Sequence, residues 1–174
     1  EEGLTPEEYI KKNGDIKPIT SQLKTARLHA AGHGFPEGKG MGEVTLNTTT
    51  TYKDLIEFIQ GQLTAIGIKA KIDVSPSASL RDLMSKNSVN FFRGSWLADY
   101  GDGENFLSMF YSKNKVPYGP NYTAFYNKEF DQLFEKSYYE TDNEKRFELY
   151  RKMDQMVMDY APVVPLFYDQ SVVM

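Results

Sequence analysis

The residues best suited to chemistry lie in one stretch, residues 90–106, which holds the only tryptophan of the chain. Asp99, Asp102 and Glu104 alternate with glycines there, just after a segment that has the composition of a strand. A loop at the end of a strand can carry such side chains into a cleft. Two carboxylates facing one another across a cleft could also supply the acid and base of a hydrolase. The stretch is therefore a candidate for ligand binding or for hydrolysis.

Asp99 follows a run rich in Phe, Trp and Leu, so we expect its carboxylate to be partly desolvated and to attract a cation. Arg93 lies earlier on the same predicted strand, about 20 Å away in an extended chain. These opposite charges suit the two ends of a short peptide, whose backbone could pair with Ser95 and Leu97. Three aromatic residues could form walls of side-chain pockets: Phe92, Trp96 and Tyr100.

Each of these residues also has an ordinary structural explanation. Asp102 or Glu104 is well placed to cap a short helix that begins near Asn105. Trp96 can be an anchor in the core, and Arg93 a surface residue. From the residues alone, the binding and the structural interpretations stand level for Arg93 and Trp96, whereas the structural one is favoured for Asp102 and Glu104. A third possibility is a subunit-contact module with an exposed aromatic face.

Metal and nucleotide sites do not fit the sequence. His29 and His33 have helical spacing, but Gly32 interrupts the helix and no acid completes a zinc-protease motif. The acidic loop begins like a calcium loop, yet Phe110 stands where the bidentate acid is needed. The glycine run at residues 32–42 lacks the spacing of a dinucleotide loop and the Ser or Thr of a Walker loop. We expect no metal ion and no other cofactor.

The composition is that of an ordinary globular domain, with 174 residues, 40% of them hydrophobic and 25% charged. A net charge of −4 without a basic patch argues against a nucleic-acid partner. The absence of Cys excludes disulfides and thiolate sites and is compatible with export. No apolar run reaches the roughly 20 residues of a membrane helix, so we expect no direct membrane insertion in this segment.

The elements that must position the stretch alternate in type along the chain. Alternating and helical apolar spacings predict strands at 43–49, 68–74 and 89–97, and helices at 52–66 and 79–87. This β-α-β-α-β order is typical of a parallel sheet covered by helices. The fold class is therefore α/β.

The remainder of the chain is predicted to be helical up to a short terminal edge strand. Helices are expected at 105–111 and 128–139, and a third begins at a capping box formed by Thr141 and Glu144. Pro162 ends that helix, and residues 163–168 form the edge strand. We expect two parts: a leading helical and linker segment at 1–42 and a single α/β lobe at 43–174.

One segment, Trp96-Leu-Ala-Asp-Tyr-Gly-Asp-Gly-Glu-Asn-Phe-Leu107, resembles the signature of the peptide-type (family 5) extracellular solute-binding proteins of ABC importers. That signature has Trp, two residues, Asp, two residues, an acid–Pro pair, and then Asn-Phe. Gly103 departs from it, because Pro usually stands there, and this is expected to loosen the loop. Other segments resemble the family in the same order along the chain: residues 34–40, 62–69, 121–131 and 161–168.

The resemblance implies a two-lobed receptor with lobes of the periplasmic-binding-protein type II kind, and no enzymatic activity. Such a receptor closes over an oligopeptide, a dipeptide or a related small solute and delivers it to ABC permease subunits. This chain, which begins at Glu1 rather than Met, would be the C-terminal lobe, and its N-terminal lobe would be missing. The implied location is a bacterial periplasm, or a bacterial cell surface to which the protein would be anchored as a lipoprotein.

The resemblance also implies roles for individual residues. Asp99 would hold the amino terminus of the peptide, and backbone groups of Ser95 and Leu97 would pair with the peptide backbone. Arg93 would meet the carboxylate at the far end. The alternative from another class is a carboxylate-dependent hydrolase that uses Asp99 with Asp102 or Glu104.

Overall fold

A computed structural model describes residues 35–167, which fall into two compact units. The first unit comprises the described residues up to Pro76 together with Phe91–Arg93. The second comprises Ser77–Asn90 and the described residues from Gly94 onward. The helices expected before residue 32, and the end of the strand expected at 163–168, lie outside the described residues. The division into a segment 1–42 and a single lobe 43–174 stays a prediction.

The first unit is a β-α-β arrangement, as the sequence predicts. Strand β1 (Glu43–Thr48) pairs in parallel with strand β2 (Lys69–Val74), and helix α1 (Lys53–Ala65) connects them. The core of this unit is aliphatic, because the apolar faces of the strand and the helix pack together. Its buried hydrophobic residues are Leu46, Ile56 and Ile66.

The glycine run before β1 contains a tight packing contact. Gly38 ends a 3-10 turn with φ +69°, and a Cβ at this position would lie 2.1 Å from the carbonyl oxygen of Gly67. Gly67, just past the end of α1, itself has φ +88°. Both positions require glycine, since other residues pay a steric cost at positive φ. The run therefore leads into a strand, and does not form a phosphate loop at the start of a helix.

The third strand, expected at 89–97, is reduced to one parallel bridge between Phe92 and Asn47. The backbone N–H of Asn47 donates to Phe91 O at 2.9 Å, and that of Arg93 donates to Asn47 O at 2.9 Å. At its C-terminal end, the predicted strand was too long because β1 ends at Thr48. In a parallel register, the residues after Arg93 have already passed the end of that strand.

The second unit is helical and packs around aromatic rings. Its helices are α2 (Ser77–Ser85), α3 (Glu104–Leu107), α4 (Lys128–Ser137) and α5 (Asn143–Tyr160), close to the predicted positions. Pairs of phenylalanines meet edge to face, for example Phe110 and Phe125 with ring centroids 6.1 Å apart. The buried cluster consists of Leu107, Phe110, Phe125, Phe130, Phe134, Met153 and Val157.

The two ends of α5 differ in how well the sequence predicts them. The N-cap is Asp142 and not Thr141: its side chain accepts hydrogen bonds from the backbone N–H groups of Glu144 and Lys145, at 3.0 Å and 3.3 Å. The C-terminal end agrees with the prediction, since Ala161 takes a left-handed conformation directly before Pro162.

The terminal edge strand predicted at 163–168 is not formed within its described part, residues 163–167. Val163 instead packs against the aromatic cluster of the second unit. In that unit, the described residues include no named strand with which it could pair. Pro162 and Pro165 also lack the N–H donors that a ladder needs.

We expect Asp142→Ala to lower the free energy of unfolding by about 1 kcal/mol, because the first N–H groups of α5 lose their acceptor. Urea denaturation monitored by circular dichroism measures this change. Thr141→Ala is the matched control, and its effect should stay within about 0.5 kcal/mol. A larger loss from Thr141→Ala than from Asp142→Ala would contradict the cap seen here.

Candidate functional site

The segment that joins Gly94 to α3, residues 94–103, carries most of the predicted ligand contacts. Asp99 and Ser95 are exposed, and 87% of the surface of Leu97 is accessible. The Asp99 carboxylate has no hydrogen bond or ion pair with another residue of the range 35–167. Among residues 35–167, nothing buries Asp99, so the partial desolvation expected for its carboxylate is not found there.

The side chains on both sides of Asp99 are tied to the first turn of α3. Half-buried Trp96 donates from Nε1 to Oδ1 of Asn105 at 2.7 Å. The hydroxyl of Tyr100 donates to Oε2 of Glu104, although 53% of Tyr100 is exposed. Asn105 and Glu104 are themselves only 4% and 8% exposed. The loop that presents Asp99 is thus attached to buried side chains at two points.

Glu104 is a buried carboxylate whose two oxygens both have hydroxyl donors. Besides Tyr100, it accepts a hydrogen bond from the hydroxyl of Tyr138, the residue after α4, at 2.7 Å. The hydrogen bond to Glu104 is the main cause that raises the pKa of Tyr100. Burial, followed by the bond to Glu104, raises the pKa of Tyr138. Both hydroxyls therefore stay protonated at neutral pH, as donors must.

Asp102 caps α3 and forms an ion pair with α5. Its Oδ1 accepts from the backbone N–H of Glu104 at 2.9 Å, and its Oδ2 lies 3.1 Å from Nη2 of Arg146. Burial alone would raise the pKa of Asp102, but the bonds from Glu104 N–H and Tyr150 and the charge of Arg146 together lower it below 3.8. Burial and the bond to Asp102 raise the pKa of Tyr150 to about 12. The capping role expected for Asp102 or Glu104 is confirmed for Asp102.

Gly103, where the family usually has Pro, is not an open point of the loop. It has φ −62°, a value that proline also adopts. A Cβ at this position would lie 3.3 Å from Cδ2 of Tyr150. The space beside Gly103 is therefore filled by an aromatic ring of α5.

These side chains line a pocket of about 260 Å³ within the second unit: Tyr100, Asp102, Glu104, Ser137, Tyr138, Arg146 and Tyr150. Sequence reasoning missed the contributions of α4 and α5. The spacing of Arg146 and Tyr150 places both on one helix face, but no local pattern connects that face to the acidic loop. Because Asp102 and Glu104 are engaged by their neighbours, the arrangement gives no support to the hydrolase alternative. Among residues 35–167, no cluster of potential metal ligands is found.

Arg93, the remaining predicted contact, belongs to the first unit. Its guanidinium carbon lies 3.3 Å from the centroid of the Tyr52 ring, at the start of α1. Its backbone is fixed by the hydrogen bond to Asn47 of β1. A stacked, half-buried arginine keeps its charge while its orientation is restricted. The ligand contacts proposed for these six residues stay predictions: Arg93, Ser95, Trp96, Leu97, Asp99 and Tyr100.

A family model described as bacterial extracellular solute-binding proteins, family 5 Middle, matches residues 2–118. The chain is 28% identical over 165 residues to the oligopeptide-binding protein OppA of Bacillus subtilis (strain 168), covering 93% of the chain and 29% of that protein. It is 31% identical over 169 residues to the dipeptide-binding protein DppE of the same strain, covering 94% and 30%. The chain thus spans about 30% of the length of these relatives.

Solved structures agree with the predicted fold class. The periplasmic binding protein DppA from Helicobacter pylori, in complex with the peptide STSA, superimposes with a TM-score of 0.74 at 29% identity, covering 83% of this chain and 28% of that one. The oligopeptide-binding protein AppA from Bacillus subtilis, in complex with a nonapeptide, shares the fold with a TM-score of 0.69 at 23% identity, covering 80% and 30%. No helix within residues 35–167 has the length and apolar character needed to cross a bilayer.

The lowered pKa of Asp102 predicts a pH-dependent contribution to stability. The unfolded chain binds the proton at higher pH than the folded chain, so this contribution is present above about pH 5 and is lost as the pH falls through the folded pKa. We therefore expect Asp102→Asn to destabilise the protein at pH 7 and to differ less from the wild type at pH 3. Urea denaturation at both pH values measures the difference.

Asp154→Asn, which removes an exposed carboxylate of α5, is the charge-matched control for this comparison. A gap between Asp102→Asn and the wild type that is equally large at pH 3 and pH 7 would contradict the assignment.

Proposed function

Because this chain belongs to the family 5 bacterial extracellular solute-binding proteins, we propose that it forms the C-terminal lobe of a two-lobed receptor for oligopeptides, dipeptides or a related small solute. The receptor is not an enzyme: it passes its ligand to the permease subunits of an ABC importer. The family match over residues 2–118 carries this proposal. It is supported by the names of the relatives OppA and DppE, which are oligopeptide- and dipeptide-binding proteins.

The proposed place of action is the periplasm or the cell surface of a bacterium, where a lipid anchor would hold the receptor. The N-terminal lobe would supply the opposite wall of the ligand cleft. A chain that provides one wall leaves its ligand contacts exposed until the second lobe closes over them. The exposure of Asp99, Ser95 and Leu97 is compatible with such an arrangement.

Asp99 is the proposed anchor for the amino terminus of the peptide. Its carboxylate is exposed and has no partner within the described range, so it can accept a ligand ammonium without first breaking an internal ion pair. When the cleft closes, loss of water around the pair would strengthen the attraction. Asp102 and Glu104 are less suited to this role, because their oxygens are already engaged.

The backbone beside Asp99 is suited to pairing with an extended peptide. No backbone hydrogen bond involves Leu97 within the described part of the chain. Leu97 lies beyond the single bridge at Phe92, so its N–H and C=O groups can pair with an extended peptide. The proposed pairing uses Leu97 together with Ser95, and the ring of half-buried Trp96 would border a side-chain pocket.

Arg93 is the proposed partner of the peptide carboxylate. The Tyr52 ring against its guanidinium restricts the side chain, which lowers the entropy lost when a ligand binds. A guanidinium also offers the two parallel N–H groups that a carboxylate accepts.

In the full-length protein, we expect Asp99→Asn to weaken binding of a short peptide by about 2–5 kcal/mol, because the ligand ammonium loses its countercharge in a closed cleft. Isothermal titration calorimetry with a tripeptide measures this loss. Asp154→Asn serves as the control, because it removes one negative charge at an exposed place on α5. Unchanged affinity for the tripeptide in Asp99→Asn would rule out this anchor.

The proposed role of Arg93 leads to a test at the other end of the ligand. We expect wild-type protein to prefer a tripeptide acid over its C-terminal amide, and Arg93→Gln to lose most of that preference. The physical reason is that only the carboxylate gains from the guanidinium charge. Lys71→Gln, an exposed cation of β2, is the control. Equal preference in wild type and Arg93→Gln would place the peptide carboxylate elsewhere.

A further inference from the structure

We propose that Glu104 and Asn105 are positioning residues, which hold the Asp99 carboxylate where it selects ligands with a free α-amino group over N-acylated ones. The inference rests on the proposed function and adds to it the residues that orient the Asp99 anchor. It is carried by the two hydrogen bonds that attach the neighbours of Asp99 to α3, from Trp96 to Asn105 and from Tyr100 to Glu104. We call these two bonds the α3 clamp.

The α3 clamp acts on a segment that has little other support. Asp99 is exposed. The residues between the bridge at Phe92 and Asp99 form no further β-bridge with β1. The backbone groups of residues 97–99 make no hydrogen bond to another residue of the described range, and the carbonyl of Tyr100 accepts from the N–H of Asp102. The direction of the Asp99 side chain is therefore set largely by the two tethered neighbours.

The two acceptors of the α3 clamp, Glu104 and Asn105, belong to a helix that is itself held by further contacts. Leu107, in the same short helix, belongs to the buried aromatic cluster of the second unit. Asp102 fixes the start of α3 through its cap and its ion pair with Arg146. Buried, hydrogen-bonded polar groups of this kind specify one arrangement, because any other would leave a charge or an amide unsatisfied.

Fixing the orientation of a carboxylate contributes more to ligand binding when the carboxylate is exposed than when it is buried. Ion pairs between mobile exposed groups contribute little, since ordering the side chains offsets the attraction. A carboxylate that is already oriented avoids this cost when the ligand arrives. Selectivity for an ammonium group should therefore depend on the tethers as well as on Asp99 itself.

The sharpest test compares two single-hydroxyl deletions on the same carboxylate. Tyr100→Phe removes the donor to Oε2 of Glu104, and Tyr138→Phe removes the donor to Oε1. Both rings are more than half exposed, at 53% and 62%, so both variants should fold. Calorimetry with the full-length protein gives the affinities for trialanine and for N-acetyl-trialanine, and their ratio is the selectivity.

We expect Tyr100→Phe to lower the selectivity for the free amine by about tenfold, because a carboxylate that is no longer held must be ordered when the ligand binds. Tyr138→Phe leaves the bond between Tyr100 and Glu104 in place, so it should lower the ratio less than Tyr100→Phe does. In a second test, Asn105→Ala removes the acceptor of Trp96 and should lower the ratio as well. The fluorescence of Trp96, the only tryptophan, reports directly whether its tether is lost.

Equal losses in Tyr100→Phe and Tyr138→Phe would overturn the inference, because a general structural effect would then explain both. Wild-type selectivity in Tyr100→Phe and in Asn105→Ala would overturn it as well, while leaving the proposed function intact. A wild-type protein that binds both peptides equally would overturn amine recognition by Asp99, and the positioning role with it. A protein that binds neither peptide would instead remove the proposed peptide specificity.

Discussion

The buried carboxylate of Glu104 is the constraint on which the second unit depends. A charge with 8% exposure is costly unless donors surround it, and here two tyrosine hydroxyls supply them. One donor, Tyr100, comes from the loop before α3, and the other, Tyr138, follows α4. That loop is otherwise weakly held. The need to provide hydrogen-bond donors for one carboxylate thus attaches it to the helical core. The same short helix is joined to α5 by Asp102 and Arg146.

The sequence predicts those parts of the fold whose signals are local. Alternation gives β1 and β2 to within a residue, and apolar spacing with Gly67 gives α1. The errors arise where a long-range condition decides. The strand expected at 89–97 has the right composition, but its extent depends on where β1 ends. The cap of α5 was misplaced because Thr141 and Asp142 are both good caps, and backbone geometry chooses between them.

The candidate site likewise contains residues that a local motif selects and residues that only packing brings in. Trp96, Asp99 and Tyr100 lie within five positions, so one motif and its resemblance to a family are enough to select them. Their attachments are harder to anticipate, because a capping argument already explains Glu104, the acceptor of Tyr100, and no local signal selects Asn105, the acceptor of Trp96. Tyr138, Arg146 and Tyr150 are more than thirty positions from the loop. No periodicity or spacing rule pairs a helix face with a distant acid, so packing alone assigns them.

The contact between Gly103 and Tyr150 has an evolutionary consequence. Proline, usual at this place in the family, would fit the backbone, whose φ is −62°. Its Cβ would nevertheless press on the tyrosine ring, 3.3 Å away. The two positions are thus expected to covary: a ring at 150 accompanies glycine at 103, and a smaller or differently directed side chain accompanies proline. Homologous chains sorted by these two columns would form separate groups, each with its own way of bracing the same loop.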